Sequence, residues 1–257
     1  LAAPITIPFI AEAFGWEMSF IIIGALGFVW MGFWVFLYDK PENHSKVSAE
    51  ELEYIQQDVI ADSKLAGYVA ETATKVSLKD CFRYKQTWAF AFGKFMTDGV
   101  WWFFLFWTPA YLSSVYEMDA TEAALPLFVL YMITLLSIIG GWLPTYFVEK
   151  KGMNPYDGRM KAMLIFAFFP LLALIAQPLG HYTYWLPVII IGIAGAAHQS
   201  WSANIFTTVG DMFPKKAIAT VTGIGGLAGG LGSTLINKGS GVLFDYTKET
   251  NMSFMGF

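Results

Sequence analysis

The feature that most constrains this chain is the recurrence of apolar stretches as long as a bilayer is thick. A helix rises 1.5 Å per residue, so crossing a hydrocarbon core of ~30 Å takes ~20 mostly apolar residues. Six stretches reach that length, over about 17–38, 87–113, 123–147, 161–178, 184–209 and 217–236. None alternates with a period of two, and all are too long for barrel strands, so the expectation is helix. Composition agrees: 56% of residues are apolar and 14% charged, where soluble domains carry about a quarter charged. A fold in water would lack the polar surface to cover itself, whereas lipid removes that need. The expected fold class is therefore all-α, a polytopic helical membrane protein of about six spans.

The small net charge of −4 argues against a nucleic-acid partner, and the single cysteine, Cys81, excludes an intramolecular disulfide and a cysteine metal cluster. No metal site and no cofactor are expected. The chain opens inside an apolar run without an initiator methionine and closes at Phe257, where another apolar stretch is expected to start. It reads as part of a longer protein, without a cleavable signal peptide.

A polar segment, 39–86, interrupts the spans. Within it Ser48 and Glu51 have the spacing of a capping box, which predicts a surface helix over about 49–62. Thirteen of the sixteen basic residues fall in 39–86, 149–161 and 211–216, while the alternate loops 12–16, 114–122 and 179–183 contain none. The positive-inside rule puts the loops 39–86, 149–160 and 210–216 in the cytoplasm. Tyr38, Tyr111, Tyr116, Tyr146, Tyr182, Tyr184 and Trp185 stand at span ends, as an aromatic belt requires. The expected organisation is the end of one helical half (1–38), a central cytoplasmic loop (39–86) and most of a second half (87–257). A carrier built from two helical halves has this plan.

Polar residues inside spans carry the functional reading. Lys94 and Asp98 share a helical face at i and i+4. They are either a charged pair facing a central cavity, able to meet a carboxylate or respond to substrate, or a structural pair that neutralises itself or snorkels. In 184–209, Ala197, Trp201, Asn204 and Thr208 lie on one face, His198 and Ser202 on the adjacent stripe, and Gln199 on the other side. His198, Gln199, Trp201, Ser202 and Asn204 are the candidate substrate-binding residues. Amides and hydroxyls match a sugar's hydroxyls, and an indole covers its apolar face. The alternative is hydrogen bonding between helices. Gly223, Gly225, Gly226, Gly229 and Gly230 are candidate packing or hinge glycines, with Gly226 and Gly230 forming a GxxxG pair. The same stretch loosely fits a dinucleotide fingerprint, but no strand precedes it and no βαβ unit surrounds it. No span carries a metal set, a nucleophile–base pair or a phosphate loop, so an enzyme is not expected.

The chain resembles the anion:cation symporter branch of the major facilitator superfamily, and most closely the bacterial hexuronate transporters. The likeness is carried by Gly15-Trp16 with Phe20–Gly27, by Lys94–Asp98 followed by Trp101-Trp102-Phe103, by Ala196–Thr208, and by Asp211–Lys216 with Gly223–Gly226. It implies a partial major-facilitator fold covering helices six to eleven plus the ends of five and twelve. It further implies proton-coupled symport of galacturonate or glucuronate by alternating access in a bacterial inner membrane. The implied partners are a small organic anion, protons, the lipid bilayer and an N-terminal half of the same protein. Another organic anion, such as an aldonate or aromatic carboxylate, and a transporter-like sensor are the competing readings. One departure is Thr145-Tyr146, where the family's loop pattern often has an acid and a base. That puts the usual gating salt bridge of this half in question.

Single cysteines placed at Ser45 and Ser113 in a background lacking Cys81 should react with an impermeant thiol reagent from opposite sides of the membrane. Labelling from one side would overturn the topology.

Overall fold

The structure, a computed structural model, describes residues 2–55 and 77–249, and the statements below concern those residues. They fall into two units, one within 10–75 and one made of 76–257 with 1–9.

α1 (Ala3–Phe14) begins in the other unit and ends in the first, where the chain passes into α2 (Trp16–Leu37). The break is Gly15, whose φ of 86° suits a residue without Cβ. α2 is apolar around its circumference and buries only Ser19, the pattern of a helix surrounded by lipid or other helices. Farther on, Ser48 Oγ accepts from the Glu51 amide at 3.1 Å and starts α3, helical over 49–55. The expected continuation to 62 lies outside the described residues.

The second unit is a helical bundle. After α4 (Leu78–Cys81), α5 runs from Lys85 to Tyr116. One span combines α6 (Ala124–Thr134), a 3-10 turn at Leu135–Ile138 and α7 (Ile139–Lys151). The next combines α8 (Pro155–Phe168), a 3-10 segment at Phe169–Ile175 and α9 (Ala176–Gly180). α10 (Trp185–Met212) and α11 (Lys215–Glu249) complete it. The 3-10 interruptions have local causes. Thr134 Oγ1 donates to the Tyr131 carbonyl at 2.6 Å, the acceptor an α-helix reserves for the Leu135 amide, and that amide turns to Met132 instead. Pro170, with no N–H, stands at the start of the second interruption.

Side chains confirm the alternation of ends. The Tyr84 and Phe213 rings meet edge to face at 5.9 Å, and Arg159 pairs with Asp211, so the basic loops before α5, between α7 and α8 and between α10 and α11 share one end. At the other end Tyr116 OH donates to the Gly180 carbonyl at 2.9 Å. There Asp119 and Glu122 form a capping box before α6: the Asp119 carboxylate accepts from the Glu122 and Thr121 amides, both at 2.8 Å, and the Asp119 amide donates to Glu122. These bonds, the Glu122 amide first, hold the Asp119 carboxyl below its ordinary range.

Five segments among the described residues are long and apolar enough to cross a membrane: α2, α6–α7, α8–α9, α10 and most of α11. α5 is as long but falls short in apolarity, because Lys94 and Asp98 sit inside it. α11 continues well past the expected end at 236. The polar Asn237 just past that bound is satisfied inside the helix: Oδ1 accepts from Trp107 Nε1 at 3.0 Å, and Nδ2 donates to the Ser233 carbonyl at 2.9 Å.

α11 crosses α5 along a glycine seam. A Cβ at Gly225 would stand 2.0 Å from the Phe90 ring, at Gly229 2.0 Å from Asp98 Oδ2, and at Gly232 1.9 Å from the Phe95 carbonyl oxygen. Gly223, Gly226 and Gly230 have open space beside them. Within this chain the close packing falls at 225, 229 and 232. One residue turns a helix by about 100°, so the 226/230 pair faces away from the seam that 225, 229 and 232 make.

Gly232→Ala should destabilise the protein by about 1–3 kcal/mol, since its methyl meets backbone rather than a yielding side chain. Gly226→Ala should be neutral or slightly stabilising. Thermal unfolding in detergent compares them, and equal melting temperatures would contradict the seam.

Candidate substrate site

The site begins on α5. Four residues of helix bring Lys94 and Asp98 onto one face, and Lys94 Nζ stands 2.6 Å from Asp98 Oδ1. Lys94 is 3% exposed, so it does not snorkel. Its ammonium lies 4.1 Å from the centre of the Phe206 ring on α10, a cation–π contact that helps a charge leave water. The Asp98 carboxylate fits against α11 only because position 229 lacks a side chain.

α10 supplies the rest, and its faces differ from the expected arrangement. The stripe Ala197, Trp201, Asn204 and Thr208 turns into the bundle. Asn204 is 3% exposed, and its Nδ2 donates to the Gly140 carbonyl at 2.7 Å and the Ser200 carbonyl at 2.8 Å. Asn204 thus bridges helices, the alternative left open by its residue type. Thr208 Oγ1 donates to the Ile205 carbonyl, and Trp201 is half-buried between two apolar clusters. His198 is also buried. Its Nε2 lies 2.8 Å from the Thr97 carbonyl, a pure acceptor, so Nε2 carries the proton. Nδ1 is then a bare acceptor, buried without a partner. The ring lies nearly parallel to Trp101, 6.3 Å away. Gln199 and Ser202 are half-exposed on the neighbouring stripe, beside exposed Ala203, Phe206 and Thr207.

Lys94 and Phe206, and Thr97 and His198, are therefore the contacts that join the two candidate groups. The Phe206 contact was not foreseen, since a phenylalanine in an apolar span carries no signal of its own. Ser200 was also missed: it is 2% exposed and donates to the Ala196 and Ser137 carbonyls.

A separate cavity of about 240 Å³ lies at the basic end, lined by Gly140, Thr145, Glu149, Arg159, Asn204 and Thr207 among others. It shares only Asn204 with the candidate residues. Arg159 closes one side through a two-bonded contact with Asp211, 2.8 and 3.2 Å. The helix-joining charge pair of this end is thus between α8 and α10. Thr145 instead donates to its own helix at the Gly141 carbonyl. No cluster of His, Cys, Asp and Glu able to hold a metal occurs among the described residues.

The sequence profile described as Major Facilitator Superfamily matches residues 1–236. The chain belongs to that superfamily. It is 30% identical over 232 residues to the hexuronate transporter of Escherichia coli K12, covering 90% of this chain and 52% of that protein. It is 30% identical over 155 residues to the galacturonate transporter of Dickeya chrysanthemi, covering 60% and 44%. Over 228 residues it is 25% identical to the probable galactarate/D-glucarate transporter of Escherichia coli K12, covering 86% and 50%. The chain spans about half the length of the curated relatives it matches. This superfamily member is an integral, multi-pass protein of the inner membrane, from a family of carriers rather than enzymes, and it is related to transporters of sugar acids.

Asn204→Ala should lower the melting temperature in detergent by the equivalent of about 1 kcal/mol, since it strips a donor from the Gly140 carbonyl between two helices. Ser202→Ala should leave it unchanged. An Asn204→Ala protein of unaltered stability would remove the bridging role.

Proposed function

We propose that this chain forms the second half of a proton-coupled symporter for a hexuronate, such as galacturonate or glucuronate, working by alternating access together with an N-terminal half. The observation that carries the reading is the Lys94–Asp98 pair, seated within a span and in contact with α10. Charge in a bilayer is costly and is kept where it is used. An anion needs a counter-charge along its path, and Lys94 is a cation placed to supply one. Similarity to transporters named for hexuronate and galacturonate supports a sugar acid as substrate.

The roles follow from side-chain chemistry. Gln199 and Ser202, half-exposed on α10, offer an amide and a hydroxyl to sugar hydroxyls. Trp201 offers its indole to the ring face, and His198 and Asn204 hold this wall in place through the Thr97 and Gly140 carbonyls. The loops 39–86, 149–160 and 210–216 face the cytoplasm on this reading. The relative named for galactarate and D-glucarate favours a second reading, a sugar diacid.

Uptake of labelled galacturonate by the full-length carrier in proteoliposomes tests the proposal. Trp201→Ala should weaken half-saturation about tenfold to a hundredfold, as 1–3 kcal/mol of lost contact implies, and Trp201→Phe should be milder. Excess unlabelled glucarate that competes better than glucuronate would move the substrate to the diacid. Binding without flux in the wild type would leave a sensor, and a wild type that neither binds nor moves any sugar acid would end the proposal.

A further inference from the structure

We propose that the Lys94–Asp98 pair is an exchange switch: a proton on Asp98 releases Lys94, and the substrate's carboxylate takes the place Asp98 leaves. This rests on the transport reading above and assigns its coupling step to residues of this chain.

The argument is electroneutrality in a medium that tolerates little net charge. Lys94 is 3% exposed and lies roughly 13 Å along α5 from its start, at 1.5 Å per residue. With Asp98 ionised the pair is neutral, and the 2.6 Å contact occupies the ammonium. A carboxylate arriving then would leave one negative charge uncompensated. With Asp98 protonated, the ammonium and the arriving carboxylate form a neutral pair instead. One proton and one monoanion therefore bind in favour of each other, and each raises the affinity for the other by the same factor. The Lys94 nitrogen keeps its proton throughout. The proton comes from water, rides on the Asp98 carboxyl, and leaves as the substrate departs and the ion pair closes again.

The surroundings suit a carboxylate that changes charge. Asp98 is the more exposed partner, 16% against 4% at the side chains, so protons reach it while the ammonium stays covered. α11 presents Gly229 there, and no ionisable residue of that helix lies between Lys216 and Lys238. α10 carries two titratable groups, Asp211, which is held by Arg159 at the basic end, and His198, which faces this region. His198 is fixed by the carbonyl of Thr97, the residue before Asp98, and its buried Nδ1 has no partner. On α5 itself the facing charge is Lys94. A proton that enters this region thus has two resting places, Asp98 and His198, and the switch requires the first. Phe206 holds the freed ammonium by its ring without neutralising it, which leaves the full charge for a carboxylate.

The test uses the full-length carrier, with galacturonate as probe. Wild-type affinity should rise about tenfold per pH unit as pH falls through the range where Asp98 takes its proton, with one proton taken up per ligand bound. Asp98→Asn should bind with an affinity independent of pH and should exchange labelled for unlabelled galacturonate. It should no longer accumulate galacturonate against its gradient when a pH gradient is applied. Lys94→Gln should weaken binding at least tenfold, and Lys94→Gln with Asp98→Asn, which leaves no unpaired charge, should fold and remain unable to bind. The pH dependence should persist in His198→Gln whatever its affinity. Uphill accumulation by Asp98→Asn, recovery of transport in the double variant, or a pH dependence lost in His198→Gln but kept in Asp98→Asn would each overturn the switch while leaving sugar-acid transport standing. Should Asp98→Asn fail to insert, proton uptake on binding by the wild type decides alone, and a count of zero rejects the proposal. Failure of the wild type to transport any sugar acid is the separate result that rejects the carrier.

Discussion

The close crossing of α5 and α11 is the contact on which the rest of the bundle depends. Without side chains at 225, 229 and 232, the α11 backbone comes against the Phe90 ring, the Asp98 carboxylate and the Phe95 carbonyl. Within lipid there is little hydrophobic gain from helix association, so packing of this kind has to hold spans together. The seam also solves a second problem. α5 carries two charges that a lipid-facing helix could not, and α11 shields one side of them while α10 shields the other with Phe206. Stability and the site are therefore one arrangement.

α10 is the hub of this arrangement. It touches α5 through His198 and Thr97, α7 through Asn204 and Gly140, and the turn before α7 through Ser200 and Ser137. In each case a side chain of α10 meets a backbone carbonyl of its neighbour. Helical carbonyls already accept one bond from their own ladder and have a second lone pair free. Polar side chains on α10 exploit it, so the helix can be dense in polar groups without leaving them bare. His198 Nδ1 is the exception on α10.

Much of this was legible in the sequence because bilayer thickness acts directly on composition. Five of the six expected spans and the segregation of basic loops follow from length and charge, and capping at Ser48 follows from local chemistry. What was not legible is the face each helix turns inward. Asn204 and Trp201 lie on one helical stripe, and an amide or an indole suits a cavity and an interface equally. Asn204 meets the Gly140 carbonyl opposite it, a relation between residues 64 apart in the chain, and also borders the cavity at the basic end. Likewise the pair Gly226 and Gly230 has the same spacing as Gly225 and Gly229, and only the position of Phe90 and Asp98 decides between them. The length of α11 was hidden for a similar reason. Past the expected end at 236 the polar Asn237 is accommodated by a bond from Trp107, 130 residues away in the chain.

The two halves of the site differ in what a change of conformation would cost them. Bonds from α10 to its neighbours end on carbonyls and are neutral, so they can persist while a bundle moves as a rigid body. The Lys94–Asp98 contact joins opposite charges on one helix, and no motion between helices is needed to open it. Its state can therefore change by chemistry alone, through a proton or a competing carboxylate, while the backbone of α5 stays continuous. A neutral pair crosses between membrane faces at less electrostatic cost than a lone ammonium. On the proposed transport reading, the bundle is free to change access when the pair is closed or when a carboxylate has replaced Asp98, and is held back when Lys94 stands alone.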